Sequence, residues 1–156
     1  MPRVGIALGS NLGDRAANLQ AARERLREIA AAGEPFLEAT DHQTEPLDCP
    51  PDSPPFYNSV VEIAWQGDPL DLLEITQSIE RDLGRTRAPE RNAPRVIDVD
   101  LLYFGDEIVR TETLELPHPR LAERLFVLEP LAEIRPDLVL PGHSLSVGDL
   151  LARFIR

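Results

Sequence analysis

The chain has 156 residues, 42% of them hydrophobic, enough to build one core without disulfides or structural metal. Its 27 acidic residues outweigh 16 basic ones for a formal charge of −11, which argues against a general nucleic-acid or anionic-membrane binder. Every basic side chain is arginine, so a P-loop or protein-kinase lysine is excluded, and the single Cys49 can neither bridge internally nor suggest zinc. No apolar run approaches the roughly 18 residues of a membrane span, and "MPRVGIALGS" lacks a signal peptide's apolar segment, so a cytoplasmic monomer of one domain over 1–156 is expected.

In chain order, "RVGIALGS" reads as a strand, and Leu19, Ala22, Leu26 and Ile29 recur at helical spacing until Gly33 stops the helix. "FLEATDHQT" predicts a second strand and "YNSVVEIAW" a third, with five prolines in "EPLDCPPDSPPF" forming a long stiffened loop between them. Asp68 as N-cap and Pro69 at the first helical position open a helix carrying Leu73, Thr76, Ile79 and Leu83, closed by Gly84. After "RTRAPERNAPR" come the strand "PRVIDVDLLYFG", a turn at Gly105-Asp106, and short strands around "EIVR" and "LEL". "PHPR" then leads into the helical pattern "LAERLFVLEPLAEI", and the short amphipathic "SVGDLLARFI" closes the chain. The order β-α-β-β-α-β predicts an α+β fold: a ferredoxin-like antiparallel sheet with packed helices and extra C-terminal elements.

Two aspartates interrupt the apolar strand. Alternation places Val96, Asp98, Asp100, Leu102 and Phe104 on one face and Ile97, Val99, Leu101 and Tyr103 on the other, which is wholly apolar and must be core. The two carboxylates sit ~7 Å apart and repel by roughly 2 kcal/mol at an effective dielectric near 20. A strand end that meets water explains them, and so does a divalent ion, because Mg²⁺ takes hard oxygen ligands and shares them with substrate phosphates. Just upstream, Arg85, Arg87, Arg91 and Arg95 are opposed only by Glu90, a local charge of +3 on an acidic protein. Such a loop is often merely solvated, but guanidinium groups bind phosphate bidentately, and a phosphate chain would serve both features at once. "GSNLGD" after the first strand is either a weak phosphate loop or a tight turn. His118 in a proline turn is structural or ligand-contacting, and Phe56, Tyr57 and Asn58 are core aromatics or a site for a planar heterocycle.

Taken in order, "GSNLGD", "FYNSVVEI", "TQSIERDLGRTR", "PRVIDVDLLYFG" and "LPHPRLAERLFVLEPL" resemble the 6-hydroxymethyl-7,8-dihydropterin pyrophosphokinase family over nearly the whole chain. The resemblance implies transfer of pyrophosphate from ATP to the hydroxymethyl group of a dihydropterin, with two Mg²⁺ ions on an α+β fold. By motif position, Asp98 and Asp100 would hold the metals, and Arg85 and Arg95, supported by Arg87, would meet the phosphates. Leu73, Gln77, Glu80, the Leu101 backbone, His118 and Arg124 would lie near the nucleotide. Phe56 and Phe126 would sandwich the pterin while Asn58 reads its edge, completed by the Thr44 and Leu47 backbones.

The chain departs from the family pattern at Asn92 and Ala93, where an aromatic and a glycine often stand, at Asp48 in place of a glycine, and at Pro119 in place of an aromatic. These departures bear on loop dynamics, since none removes a metal or phosphate ligand. Two other classes bear on the same residues. A metal-dependent phosphohydrolase would account for the aspartates and arginines but not for the aromatic and Asn set, and a non-catalytic ferredoxin-like module would make the aspartates a surface accident.

Overall fold

The structure, a computed structural model, describes residues 1–44, 55–84 and 96–154; Leu47, Asp48, Cys49 and the arginine-rich segment with Arg85, Arg87, Arg91, Asn92, Ala93 and Arg95 lie outside the described residues. Strand β1 (Arg3–Ser10) leads to α1 (Arg15–Ile29), then β2 (Leu37–Glu38), β3 (His42–Thr44), β4 (Phe56–Ala64), α2 (Pro69–Asp82) and β5 (Asp98–Phe104). A hairpin of β6 (Val109–Arg110) and β7 (Glu115–Leu116), a 3-10 turn (Leu121–Glu123), α3 (Leu125–Ile134) and α4 (Val147–Ala152) follow.

The sheet order is β2-β4-β1-β5, with β3 also on β4 and every pairing antiparallel. This is the expected ferredoxin-like arrangement: α1 carries the chain past the place that β4 later fills, and α2 carries it back across β1 to β5. Central strand β1 divides the molecule by alternation. Val4, Ile6 and Leu8 enter one core with Leu19 and Leu26 of α1 and Leu72 and Ile79 of α2. Gly5, Ala7 and Gly9 face the other way, toward a second core where Leu128 and Leu131 of α3 meet Val147 and Leu150 of α4.

Local chemistry sets the boundaries. The Asp68 carboxylate accepts the Leu70 N–H at 2.9 Å with Pro69 in the first turn, and Gly84 leaves α2 at φ +102°. The expected second strand splits in two around Ala39–Asp41. There the Ala39 carbonyl accepts from the Ser59 hydroxyl at 2.9 Å and from Arg23 at 3.3 Å, and Arg23 also pairs with Asp41. Leu72 is the fully buried residue of this turn of α2, and Leu73, partly buried against the same core, also lines a cleft described below. The single helical pattern over 121–134 breaks at Arg124, whose φ of −110° and ψ of 100° separate the 3-10 turn from α3.

Strand β5 corrects one expectation. Its register against β1 slips between Gly5↔Tyr103 and Ile6↔Leu101, leaving Leu102 as the extra residue of a β-bulge. Alternation therefore reverses beyond it: Phe104 joins the core of Ile97, Val99 and Leu101, and Tyr103 joins Leu102 in the second core. Tyr103 lies over Gly5, where an added Cβ would stand 2.1 Å from Tyr103 Cε2. Its hydroxyl donates to the fully buried Glu62, which also accepts from Arg3 Nε at 2.8 Å and Arg135 Nη1 at 2.5 Å.

Burial alone would raise the Glu62 pKa, but hydrogen bonds from Tyr103, Arg3 and Arg135 together outweigh it and hold the carboxyl below its ordinary value. Breaking such a buried pair costs about 3–5 kcal/mol, so Glu62→Ala should lower the denaturant midpoint accordingly. A depressed folded pKa means that the contribution is complete above the unfolded value near 4.5 and fades as pH falls through the lower folded one. An acid-unfolding series should show this step in the wild type and lack it in Glu62→Gln.

Candidate active site

The site lies where β1 ends. Gly9 pairs with Asn58 of β4 on one side and with Asp98 of β5 on the other, so all three form one row across the sheet and face the α3 side. Two inter-strand spacings put Asn58 and Asp98 about 10 Å apart, with only hydrogen on the residue between them. A Cβ on Gly9 would stand 3.0 Å from Asn58 Oδ1 and 3.7 Å from Phe56 Cδ1, so the glycine lets both side chains lie close over the strand. The next row is Val60, Ala7 and Asp100. Asp98 is half-buried and Asp100 exposed, on the same face as expected.

On the Asn58 side, β3 pairs His42 with Asn58 and Thr44 with Phe56. The buried Asn58 amide donates through Nδ2 to the Thr44 hydroxyl at 2.6 Å, which leaves Oδ1 toward Gly9 as an acceptor. Phe126, in the first turn of α3, packs against the second core on this face, and the Arg124 guanidinium stands 5.6 Å from its ring centroid. Burial and Arg120 press the Arg124 pKa down while Asp100 and Asp98 hold it up, so this cation lies within electrostatic reach of both carboxylates.

On the Asp side, β5 is the edge strand of the sheet among the described residues. Its Asp98 and Asp100 backbones pair with β1, and the Val99 and Leu101 backbones turn outward by alternation. The Val99 N–H donates to Glu80 Oε2 at 2.8 Å, which explains how a carboxylate can be buried on α2 and ties that helix to the residue between the two aspartates. Beside this contact opens a cleft of about 430 Å³ lined by Leu73, Gln77, Glu80, Val99, Asp100, Leu101 and His118. Thr111 to Glu115 of the β6–β7 hairpin and Pro119 complete it.

His118 is fixed at both ends. Its backbone N–H donates to the Leu102 carbonyl at 2.7 Å, and its Nδ1 accepts the Arg120 N–H at 3.2 Å, so the neutral ring carries its proton on Nε2. Burial, then Arg124 and Arg120, lower its pKa, so the ring offers a directed donor and no charge.

The structure thus brings Leu73, Gln77, Glu80, Leu101 and His118 together with Asp100 in one cleft, and groups Phe56, Asn58, Thr44, Phe126 and Arg124 with the aspartates on one face. Arg85, Arg87, Arg95 and Leu47 fall outside the described residues. The hairpin wall was missed in the sequence, although the turn at Gly105 signalled a chain folding back along the β5 edge. "GSNLGD" resolves as a tight turn: the Asn18 amide donates to the Leu12 carbonyl at 2.9 Å and the Asp14 carboxylate already caps α1 through the Ala17 N–H at 3.1 Å. Among the described residues no three acidic, His or Cys side chains form a metal cage. Two aspartate oxygens on one face instead suit an ion that completes its shell with substrate phosphate and water.

The fold is that of solved pyrophosphokinase domains. A wild-type Plasmodium falciparum HPPK-DHPS structure with SDX-DHP superposes with a TM-score of 0.74 over 99% of this chain and 44% of that one, at 14% identity. The chain belongs to the 7,8-dihydro-6-hydroxymethylpterin-pyrophosphokinase (HPPK) family, whose model matches residues 5–136. It is 47% identical over 129 residues to the 2-amino-4-hydroxy-6-hydroxymethyldihydropteridine pyrophosphokinase of Bacillus subtilis, covering 83% of this chain and 75% of that protein. It is 44% identical over 154 residues to the enzyme of the same name from Methylorubrum extorquens, covering 98% and 94%. No helix among the described residues is long and apolar enough to cross a membrane.

In an NMR pH titration the His118 ring should change charge below its ordinary value of 6.5, with the proton of the neutral form on Nε2. Because the unfolded chain binds this proton first, His118 should withdraw stability as pH falls from about 6.5 through the folded value.

Proposed function

We propose that the protein transfers the pyrophosphoryl group of ATP to the hydroxymethyl group of 6-hydroxymethyl-7,8-dihydropterin and releases AMP. The observation that carries this reading is the continuity of two binding places at one carboxylate pair. A nucleotide-sized cleft ends at Asp100, and an aromatic and amide groove ends at Asp98, in the same row across the sheet as Asn58. A phosphohydrolase would need the cleft and the aspartates but has no use for the groove; a binding module needs neither carboxylate.

In this reading the adenine meets the outward Leu101 backbone among Leu73, Gln77 and Glu80, and the His118 Nε2–H donates to the nucleotide. Arg124, with Arg85, Arg87 and Arg95, binds phosphate oxygens and stabilises charge that moves onto departing AMP. Phe56 and Phe126 stack on the pterin while Asn58 Oδ1 accepts from its edge beside Thr44 and Leu47. Asp98 and Asp100 would hold two Mg²⁺ ions, which supply charge neutralisation on the phosphate chain. The pterin hydroxyl oxygen then forms its bond to the β-phosphorus in line with the breaking bridge to the α-phosphate, and positioning by the groove accounts for much of the rate.

Incubation with ATP, Mg²⁺ and the hydroxymethyl dihydropterin should release AMP only when the pterin is present. ADP or free phosphate as the product refutes the reading. Asp98→Ala should retain the fold by circular dichroism and lose on the order of 10²-fold or more in turnover, since each tenfold corresponds to about 1.4 kcal/mol of transition-state stabilisation. Gly9→Ala, which presses on Asn58 and Phe56, should raise the KM for the pterin and leave that for ATP unchanged.

A further inference from the structure

Outside these residues, one carboxylate gathers three donors from a single strand-bearing segment. Glu133, in the last turn of α3, accepts the Thr40 N–H at 2.8 Å through Oε2, and through Oε1 it accepts the Thr40 hydroxyl at 2.8 Å and meets His42 Nε2 at 2.9 Å. Burial acts to raise the Glu133 pKa, yet the contacts from His42 and Thr40 bring it below the ordinary value, so the carboxylate is the form that holds the segment. A hydroxyl, an imidazole and a carboxylate suggest a nucleophilic triad, but that chemistry needs hydroxyl and acid on opposite ring nitrogens. Here both address Nε2, with Thr40 Oγ1 3.5 Å from it, and the cluster is mechanical.

The two ends of this clamp are the two walls of the groove. His42 opens β3, whose last residue, Thr44, accepts from Asn58. On α3, Phe126, Pro130 and Glu133 recur at i, i+4 and i+7, so the ring at the first turn and the carboxylate at the last lie along one flank of the helix, ~10 Å apart. We infer that Glu133 is a positioning residue that fixes the gap between the Phe126 ring and the Thr44–Asn58 edge, and thereby the fit of a planar heterocycle between them. The inference rests on the pterin reading of that groove. Glu133 touches no reacting group; it sets where two binding walls stand.

Steady-state kinetics with each substrate varied in turn tests it. Losing a charged hydrogen-bond acceptor should raise the pterin KM about tenfold in Glu133→Ala, with the ATP KM unchanged. Glu133→Gln, which keeps one acceptor oxygen, should restore part of the loss. Thr40→Val, a milder change that keeps the fold should Glu133→Ala unfold, should show a smaller rise of the same kind. Equal rises in both KM values, or a fall in melting temperature with neither KM changed, would mean that the clamp serves stability alone and would overturn the inference. Asn58→Ala and Phe126→Ala are the controls. If they raise the pterin KM and no clamp variant does, the clamp is refuted by itself. If none of the variants moves it, the groove does not bind pterin and both readings fall together.

Discussion

The absence of bulk on one face of β1 is the constraint on which the remaining architecture depends. Gly5, Ala7 and Gly9 place nothing larger than a methyl between β4 and β5 on the α3 side. At Gly5 the space is filled by the Tyr103 ring, which reaches across the strand to Glu62, and at Ala7 Val60 packs beside it in the second core. At Gly9 it is taken by the close approach of Asn58 Oδ1 and the Phe56 ring. One strand thus grades over five residues from sealed core to the polar and aromatic side chains that stand beside the aspartates. Bulk at Gly5 would displace a buried charge network, whereas bulk at Gly9 would press only on Asn58 and Phe56.

The electrostatics are similarly divided. A chain of charge −11 that handles a polyanion must concentrate its cations, and the described part of the site does so with Arg124, within electrostatic reach of Asp100 and Asp98, and Arg120 close to it. Burial, with help from these guanidinium groups, lowers the His118 pKa, so charge and directionality are assigned to different side chains. Glu80, a carboxylate that would otherwise repel phosphate, has one oxygen occupied by the Val99 amide, and its cost in the site is reduced by the same bond that positions the strand.

Much of this was legible in the sequence because the signals were local. The Asp68-Pro69 start and Gly84 stop of α2, the apolar alternation of β1 and the same-face placement of Asp98 and Asp100 all follow from residues within a turn or a pleat of one another. What was hidden depends on partners far along the chain. The break at Ala39 needs Arg23 and Ser59, the burial of Glu80 needs an unpaired amide on β5, and the Glu62 cluster needs Arg3, 59 residues away, and Arg135, 73 residues away. The bulge at Leu102 was invisible for another reason: every residue from Leu101 to Phe104 is apolar enough to be buried on either face, so composition could not report the reversal. Leu73 belongs to the same class, adjacent to the fully buried position and equally hydrophobic.

The outward backbone at Leu101 has an evolutionary and pharmacological consequence. Edge strands are usually masked along their length, and here Glu80 covers the Val99 amide while the His118 amide covers the Leu102 carbonyl, so the Leu101 peptide groups face the cleft between two plugged positions. Peptide groups are common to all residues except proline. A purine read there would be insensitive to substitution at position 101, so mutational escape from a compound that mimics the base would have to arise in the surrounding side chains, where it would also disturb the cosubstrate.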